Sequence, residues 1–349
     1  MWFALLIGAG LATFGAAFTP WIIGVFGATD AVASEARTYL TISMWGLPAM
    51  LIVFAATGLL RGLQDTVTPL WIAGIGFTAN ALLNFTFIYG FGWGIAGSAF
   101  GTITAQWGMV VAYVIIVARL ARAHGAESGM NRAGLRGSAR SGGWMFLRTL
   151  SLRAALLLTV GVATGLGTKE LAGWQVVFTV FTAATFALDA LAIAAQALIG
   201  KHLGEGNLGG VTRVVRRTVA WGVWFGVLVG ALIAALSGVI GLAFTGDATI
   251  ARLTFPALLV LAVAQPVAGV VFVLDGVLMG AGDARYLTLA GALNLVPFLP
   301  ALWQLGLSGT RGWTGLLWLA VCFFGVYMLA RLATLGWRVR GDRWLRVEV

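Results

Sequence analysis

Two carboxylates stand inside runs that are otherwise strongly apolar. Asp189 lies near the middle of GWQVVFTVFTAATFALDALAIAAQALIG, and Asp275 near the end of VAQPVAGVVFVLDGVLMG. An ionisable side chain inside a bilayer is costly, and its usual work is to carry a proton, an ion or a charged substrate. Gln175, Thr182, Asp189 and Gln196 recur every seven residues, so they form one helical stripe, with Thr185 close to the same face. The stripe reads as the polar wall of a cavity in which Asp189 binds a proton or a cationic substrate. It also fits interhelical hydrogen bonding that only holds a bundle together. Gln265 lies within about 80° of Asp275 on the helical wheel, which allows a shared proton path. Asp275 has two plainer options, the headgroup region or a pair with Arg285.

Asn80 and Asn84 share a helix face, and so do Ser98, Thr102 and Gln106. These neutral groups suit hydrogen bonds to a ligand, but bonds between helices are the stronger expectation. Arg148 can reach the headgroups. Arg153 is about two turns inside its run and needs a partner, for which Asp189 is a candidate. His124 and His202 fall in predicted loops without metal-ligand spacing, and the single Cys322 reads as apolar filler. P-loop, GxSxG and HExxH motifs are lacking, so neither ATP-driven nor hydrolytic chemistry has its signature. The expectation is a protein that is not an enzyme and has no cofactor or metal.

Only 10% of the 349 residues are charged and 60% are hydrophobic, against about 25% charged in soluble domains. The fold expected is all-α and polytopic, with about ten transmembrane helices. They are predicted at 2–26, 36–61, 67–90, 95–121, 143–166, 171–199, 218–245, 251–279, 287–306 and 313–336. The Gly-, Ser- and Arg-rich stretch 124–142 reads as a basic cytoplasmic linker. It separates an incomplete four-helix lobe (1–123) from a six-helix lobe (143–338), and 339–349 forms a tail. Most arginines fall on one side, leaving Arg37, Lys169, Arg252 and Arg311 on the other, which puts both termini in the cytoplasm. The net charge of +10 therefore belongs to loops and gives no nucleic-acid footprint. The first helix lacks a basic leader and does not read as a signal peptide.

The stretch LLRGLQDTVTPL at 59–70 nearly returns as VLMGAGDARYLT at 277–288. An offset of 218 residues brings Pro48 onto Pro266, Phe54 onto Phe272, Gly58 onto Gly276, Leu60 onto Leu278, Gly62 onto Gly280 and Asp65 onto Asp283. Gly8 likewise meets Gly226 and Phe26 meets Phe244, while Asp30 matches Asp247 one residue out of step. Proline can bend a helix, glycine lets elements close up and aspartate can cap the next helix. Because the offset spans an even number of helices, the repeats are parallel, with the transport route expected between them. Helices 143–166 and 171–199 have no counterpart, so the repeat logic expects roughly 75 further residues before Met1.

GLLRGLQDTVTPL at 58–70 and LLNFTFIYGFGWGIAGSAFGTITAQ at 82–106 resemble the multidrug and toxic compound extrusion (MATE) family. RTLSLRAALLLTVGVATGLG, ALDALAIAAQALIGKHLGEG and FVLDGVLMGAGDARYL resemble most closely its DNA-damage-inducible protein F branch. The resemblance implies twelve helices in two six-helix lobes, and export of lipophilic, often cationic compounds in exchange for protons or, less readily, sodium ions. It further implies a monomer in the plasma membrane, surrounded by lipid. The chain departs from the family in three ways. By the repeat logic the helix carrying the family's coupling aspartate is expected before Met1, AGWQV places Trp174 where the resemblance implies histidine, and glutamates that some branches carry in the second lobe have no match here. Two alternatives stand beside an exporter: a lipid-linked sugar flippase, which needs buried cations of which only Arg153 is evident, and a non-transporting remnant.

Overall fold

The protein is described by a computed structural model covering residues 1–25, 30–123, 125, 129 and 132–345. Phe26 and His124 lie outside the described residues. Apolar runs this long satisfy their backbone groups within themselves only as helices. The elements are α1 (Trp2–Val25), α2 (Asp30–Ser43), α3 (Gly46–Gly62), α4 (Val67–Phe85), α5 (Gly94–Ala123), α6 (Arg132–Leu166), α7 (Thr168–Gly204), α8 (Leu208–Thr245), α9 (Ala248–Gly280), α10 (Ala284–Leu307), α11 (Gly312–Ala320) and α12 (Met328–Arg340). A π-helical turn, Thr86–Gly90, continues α4, and another, Val321–Tyr327, joins α11 to α12. Among the described residues nine spans are long and apolar enough to cross a membrane; counting α2 and α3, bent by 44°, as one more gives ten.

The chain divides into two compact units, Met1–Ala139 and Arg140–Val349. The first holds four spans and the second six. Helix α6 begins at Arg132, so the stretch predicted as linker is largely helical. Its Ala, Leu and Arg favour helix strongly enough to carry the scattered glycines. His202 belongs to the last turn of α7 rather than to a loop. Beyond α12, Trp344 is buried and donates to the Val339 carbonyl at 3.2 Å, so the predicted tail begins by folding back.

The helix limits reproduce the 218-residue offset. Helix α9 starts and ends where α2 starts and α3 ends, shifted by that number, and α11 starts likewise from α5. Gly8 and Gly226 make matching contacts. A methyl group on Gly8 would meet the Pro48 Cα at 2.5 Å, and one on Gly226 the Pro266 Cα at 2.7 Å. Each glycine lets its helix approach the next at backbone distance, a packing mode favoured in membranes. The shared turn is also reproduced: Gln64 adopts a left-handed φ of 64°, and Gly282, at the equivalent position, one of 71°.

The two turn aspartates differ in use. Asp65 Oδ1 accepts from Val67 N at 3.1 Å and Thr68 N at 2.9 Å and caps α4. Asp283 makes no side-chain cap; its Oδ2 takes Arg338 Nε at 2.7 Å, and that guanidinium lies over the Tyr286 ring. Helix α9 is capped by Asp247, which accepts from Thr249 N at 2.7 Å.

Candidate ion and substrate site

The second unit buries an aromatic core of Trp174, Phe181, Phe298, Phe323, Phe324 and Tyr327. Trp174 is fully packed, its ring 5.8 Å from that of Phe324. Beside this core, α6, α9 and α12 meet at a charge cluster. Asp275 Oδ2 accepts from Arg148 Nη2 at 2.7 Å and also from Arg331 Nη2. The side chains of Arg148, Arg331 and Asp275 are 14%, 9% and 8% exposed. Arg331 also faces the Phe272 ring at 5.7 Å. Its neighbour Thr334 donates to Asn294 Oδ1 at 3.0 Å, and Tyr286 donates to the Thr334 carbonyl at 2.6 Å.

Asp189 projects from α7, half-buried, and among the described residues forms no hydrogen bond or ion pair. It nevertheless stands in the field of Asp275, Arg148 and Arg331. The local sum is two carboxylates and two guanidiniums. With Asp189 ionised the group is neutral; with a proton on Asp189 it carries one positive charge.

This arrangement corrects three expectations. The partners of Asp275 are Arg148 and Arg331, not Arg285 or the headgroups. Arg153 is exposed and does not pair with Asp189. Gln265 is fully buried with both amide atoms unpartnered, but it faces α8, its Cβ 3.4 Å from a methyl position on Gly230. Ten residues of helix put it about 15 Å along the axis from Asp275, so the two share no contact. Arg331 is a functional candidate that the sequence analysis does not single out among the arginines of the cytoplasmic side. Its position in the apolar run CFFGVYMLARLATLGW was the available signal. Along α7, Gln175 and Gln196 are exposed, and Thr182 is half-buried with its hydroxyl spent on the Phe178 carbonyl.

In the first unit the polar side chains bind one another. Asn80 Nδ2 donates to Thr102 Oγ1 at 3.1 Å, and Asn84 Nδ2 lies 3.5 Å from Asn80 Oδ1. Thr102 in turn donates to the Ser98 carbonyl. Gln106 Nε2 lies 3.9 Å from Met50 Sδ, leaving Oε1 buried and unpartnered. These contacts tie α5 to α4 and α3.

The MatE family profile matches residues 1–86 and 145–299, which is more than half of the chain. The chain belongs to the MatE family. Among relatives, Protein DETOXIFICATION 45, chloroplastic, from Arabidopsis thaliana is 29% identical over 88% of this chain and 54% of its own length. DNA damage-inducible protein F of Escherichia coli K12 is 26% identical over 92% of this chain and 70% of its own. The chain spans about half the length of the plant relatives it matches. In fold it is similar to a solved MATE in its bent conformation, with a TM-score of 0.85 and 18% identity over 97% of this chain and 75% of the other. It is thus a multi-pass membrane protein of the MatE family.

Proposed function

We propose that this MatE chain serves a secondary antiporter that exports lipophilic or cationic small molecules in exchange for protons, by alternating access of two lobes. The observation that carries the reading is Asp189, a half-buried carboxylate without a fixed partner beside a buried charge cluster. A proton on Asp189 leaves the cluster positive, which disfavours a cation nearby; loss of the proton restores a neutral group that tolerates one. Proton and cationic substrate therefore exclude each other by charge alone, as exchange requires. Thr182 and Thr185 sit on the same side of α7 and would line the route, while Asn80, Asn84 and Gln106 brace the first unit. Both termini lie in the cytoplasm under this reading, because the arginine-rich helix ends face that side.

The test is dye efflux from proteoliposomes under an imposed pH gradient. Asp189→Asn is expected to abolish proton-driven efflux while leaving the purified protein monodisperse. Undiminished efflux by the variant refutes the role of Asp189, and a wild-type response to a sodium gradient alone refutes proton coupling.

The sugar-lipid flippase has gained buried cations in Arg148 and Arg331, but Asp275 engages both. Pyrophosphate would have to compete with that carboxylate, so the exporter remains the better reading.

A further inference from the structure

Helix α8 is 38 residues long, about 57 Å, nearly twice the hydrocarbon thickness of a bilayer. Its excess lies at the N-terminal end, where Arg213, Arg216 and Arg217 fall within about one turn. Trp221 and Trp224 follow at once, 66% and 73% exposed. Exposed tryptophans of this kind mark the level where headgroups meet acyl chains. The three guanidiniums therefore stand at headgroup depth.

They also line a cavity of about 700 Å³ between α7 and α8, together with His202 and Thr218. Among the described residues none of the three arginines is in an ion pair. The acid nearest in sequence, Glu205, is turned to the α7 end, 4.0 Å from Lys201 Nζ and 3.3 Å from His202 Nδ1. Arg213 spends only its Nε, on the Gly209 carbonyl at 3.3 Å. The η nitrogens of all three remain free to bind phosphate oxygens in the forked geometry that guanidinium favours.

We propose that this crevice is a binding site for a phosphate-bearing anion, with the headgroup of an anionic phospholipid in the adjoining leaflet as the ligand its depth favours. The arginines hold the phosphate and the apolar α8 surface beyond Trp221 takes the acyl chains. The site is separate from the Asp275 cluster and does not depend on the transport reading.

Native mass spectrometry of the whole chain, loaded with equal phosphatidylglycerol and phosphatidylcholine, tests it. The wild type should retain phosphatidylglycerol selectively. The Arg213→Gln/Arg216→Gln/Arg217→Gln variant should bind it on the order of 100-fold more weakly. A matched pair of changes at exposed arginines outside the crevice, Arg119→Gln/Arg122→Gln, should change retention little. Inorganic phosphate added during the measurement separates the sources. Persistent lipid adducts assign the site to a headgroup, and displacement at millimolar phosphate assigns it to a soluble phosphate. Equal retention of both lipids by the wild type, without phosphate binding, overturns the proposal, as does a triple variant that binds like the wild type. Should the triple variant not stay monodisperse, the three Arg→Lys changes, which keep the charge but lose the fork, must reduce retention by a smaller factor.

Discussion

Asp275→Asn removes the one negative charge held between two nearly buried arginines. At an effective dielectric of about 20, charges about 4 Å apart attract by roughly 4 kcal/mol, so the substitution forfeits two such terms. Relief of the aspartate's own desolvation offsets part of this loss, and the net cost of orphaning a buried charge is about 3–5 kcal/mol. For a unit the size of residues 140–349, with about 2–4 °C per kcal/mol, the midpoint of unfolding should fall by at least ~6 °C. The chain offers its own reporter. Cys322 is its single cysteine and is buried in the same unit, so a thiol-reactive dye lights up only when that unit opens. A second variant sharpens the argument. Asp275→Asn with Arg331→Met leaves only Arg148, the more exposed of the two cations, and should recover part of the loss. A fall of less than ~2 °C for Asp275→Asn, or a double variant no better than the single one, would refute the view that this pairing holds α6, α9 and α12 together.

Other consequences can be checked by the same assay. Gly58→Ala meets nothing within 4 Å and should stabilise by about 0.5–1 kcal/mol, whereas its repeat mate Gly276→Ala lands on the Ala192 carbonyl and should cost about 1–3 kcal/mol. Gln64→Gly should gain about 1 kcal/mol by relieving a left-handed residue that the second repeat already makes glycine. Hydrogen bonds from the Thr68 side chain and the Thr68 and Val67 backbone hold the Asp65 carboxyl below its ordinary value. A depressed carboxyl stabilises above its unfolded pKa and loses that effect as pH falls through the folded one. Asp65→Ala should therefore cost about 1 kcal/mol near pH 7, a difference that shrinks once pH drops below roughly 4. An equal difference at pH 7 and pH 3 would contradict the cap.

Much of the architecture was legible because apolar runs and turn residues are local signals. The offset found from Pro48, Gly58 and Asp65 reappears in the starts of α2 and α9 and the ends of α3 and α9, whereas α8 begins at Leu208, ten residues before its expected start. What escaped the sequence depends on which helices meet. Nothing local distinguishes Arg331, which turns inward to Asp275, from Arg153, which turns out; both lie in apolar runs, and only the packing of α12 against α9 decides. The Gly- and Ser-containing start of α6 looked like a linker because composition registers scattered glycines and not the helix formers between them. Gln265 and Asp275 shared a predicted face, but about three turns of axial separation place them against different neighbours. Asp189 can be singled out as a candidate because a carboxylate amid Phe, Ala and Leu stands out whatever its neighbours are.

The Arg148–Asp275–Arg331 cluster also dictates an order of events during synthesis. Its members are separated by 127 and 56 residues, so the ribosome delivers them one at a time. Arg148 reaches the membrane first and meets Asp189 of α7 before Asp275 of α9 follows. Once Asp275 has entered, the junction holds two carboxylates against one guanidinium. Arrival of Arg331 adds the second guanidinium and, with Asp189 ionised, brings the sum to neutral. The last span therefore enters not by hydrophobicity alone but by insertion beside an acid already in place. A chain ended before residue 331 would lose that final lock together with the Thr334–Asn294 and Arg338–Asp283 bonds of the same helix.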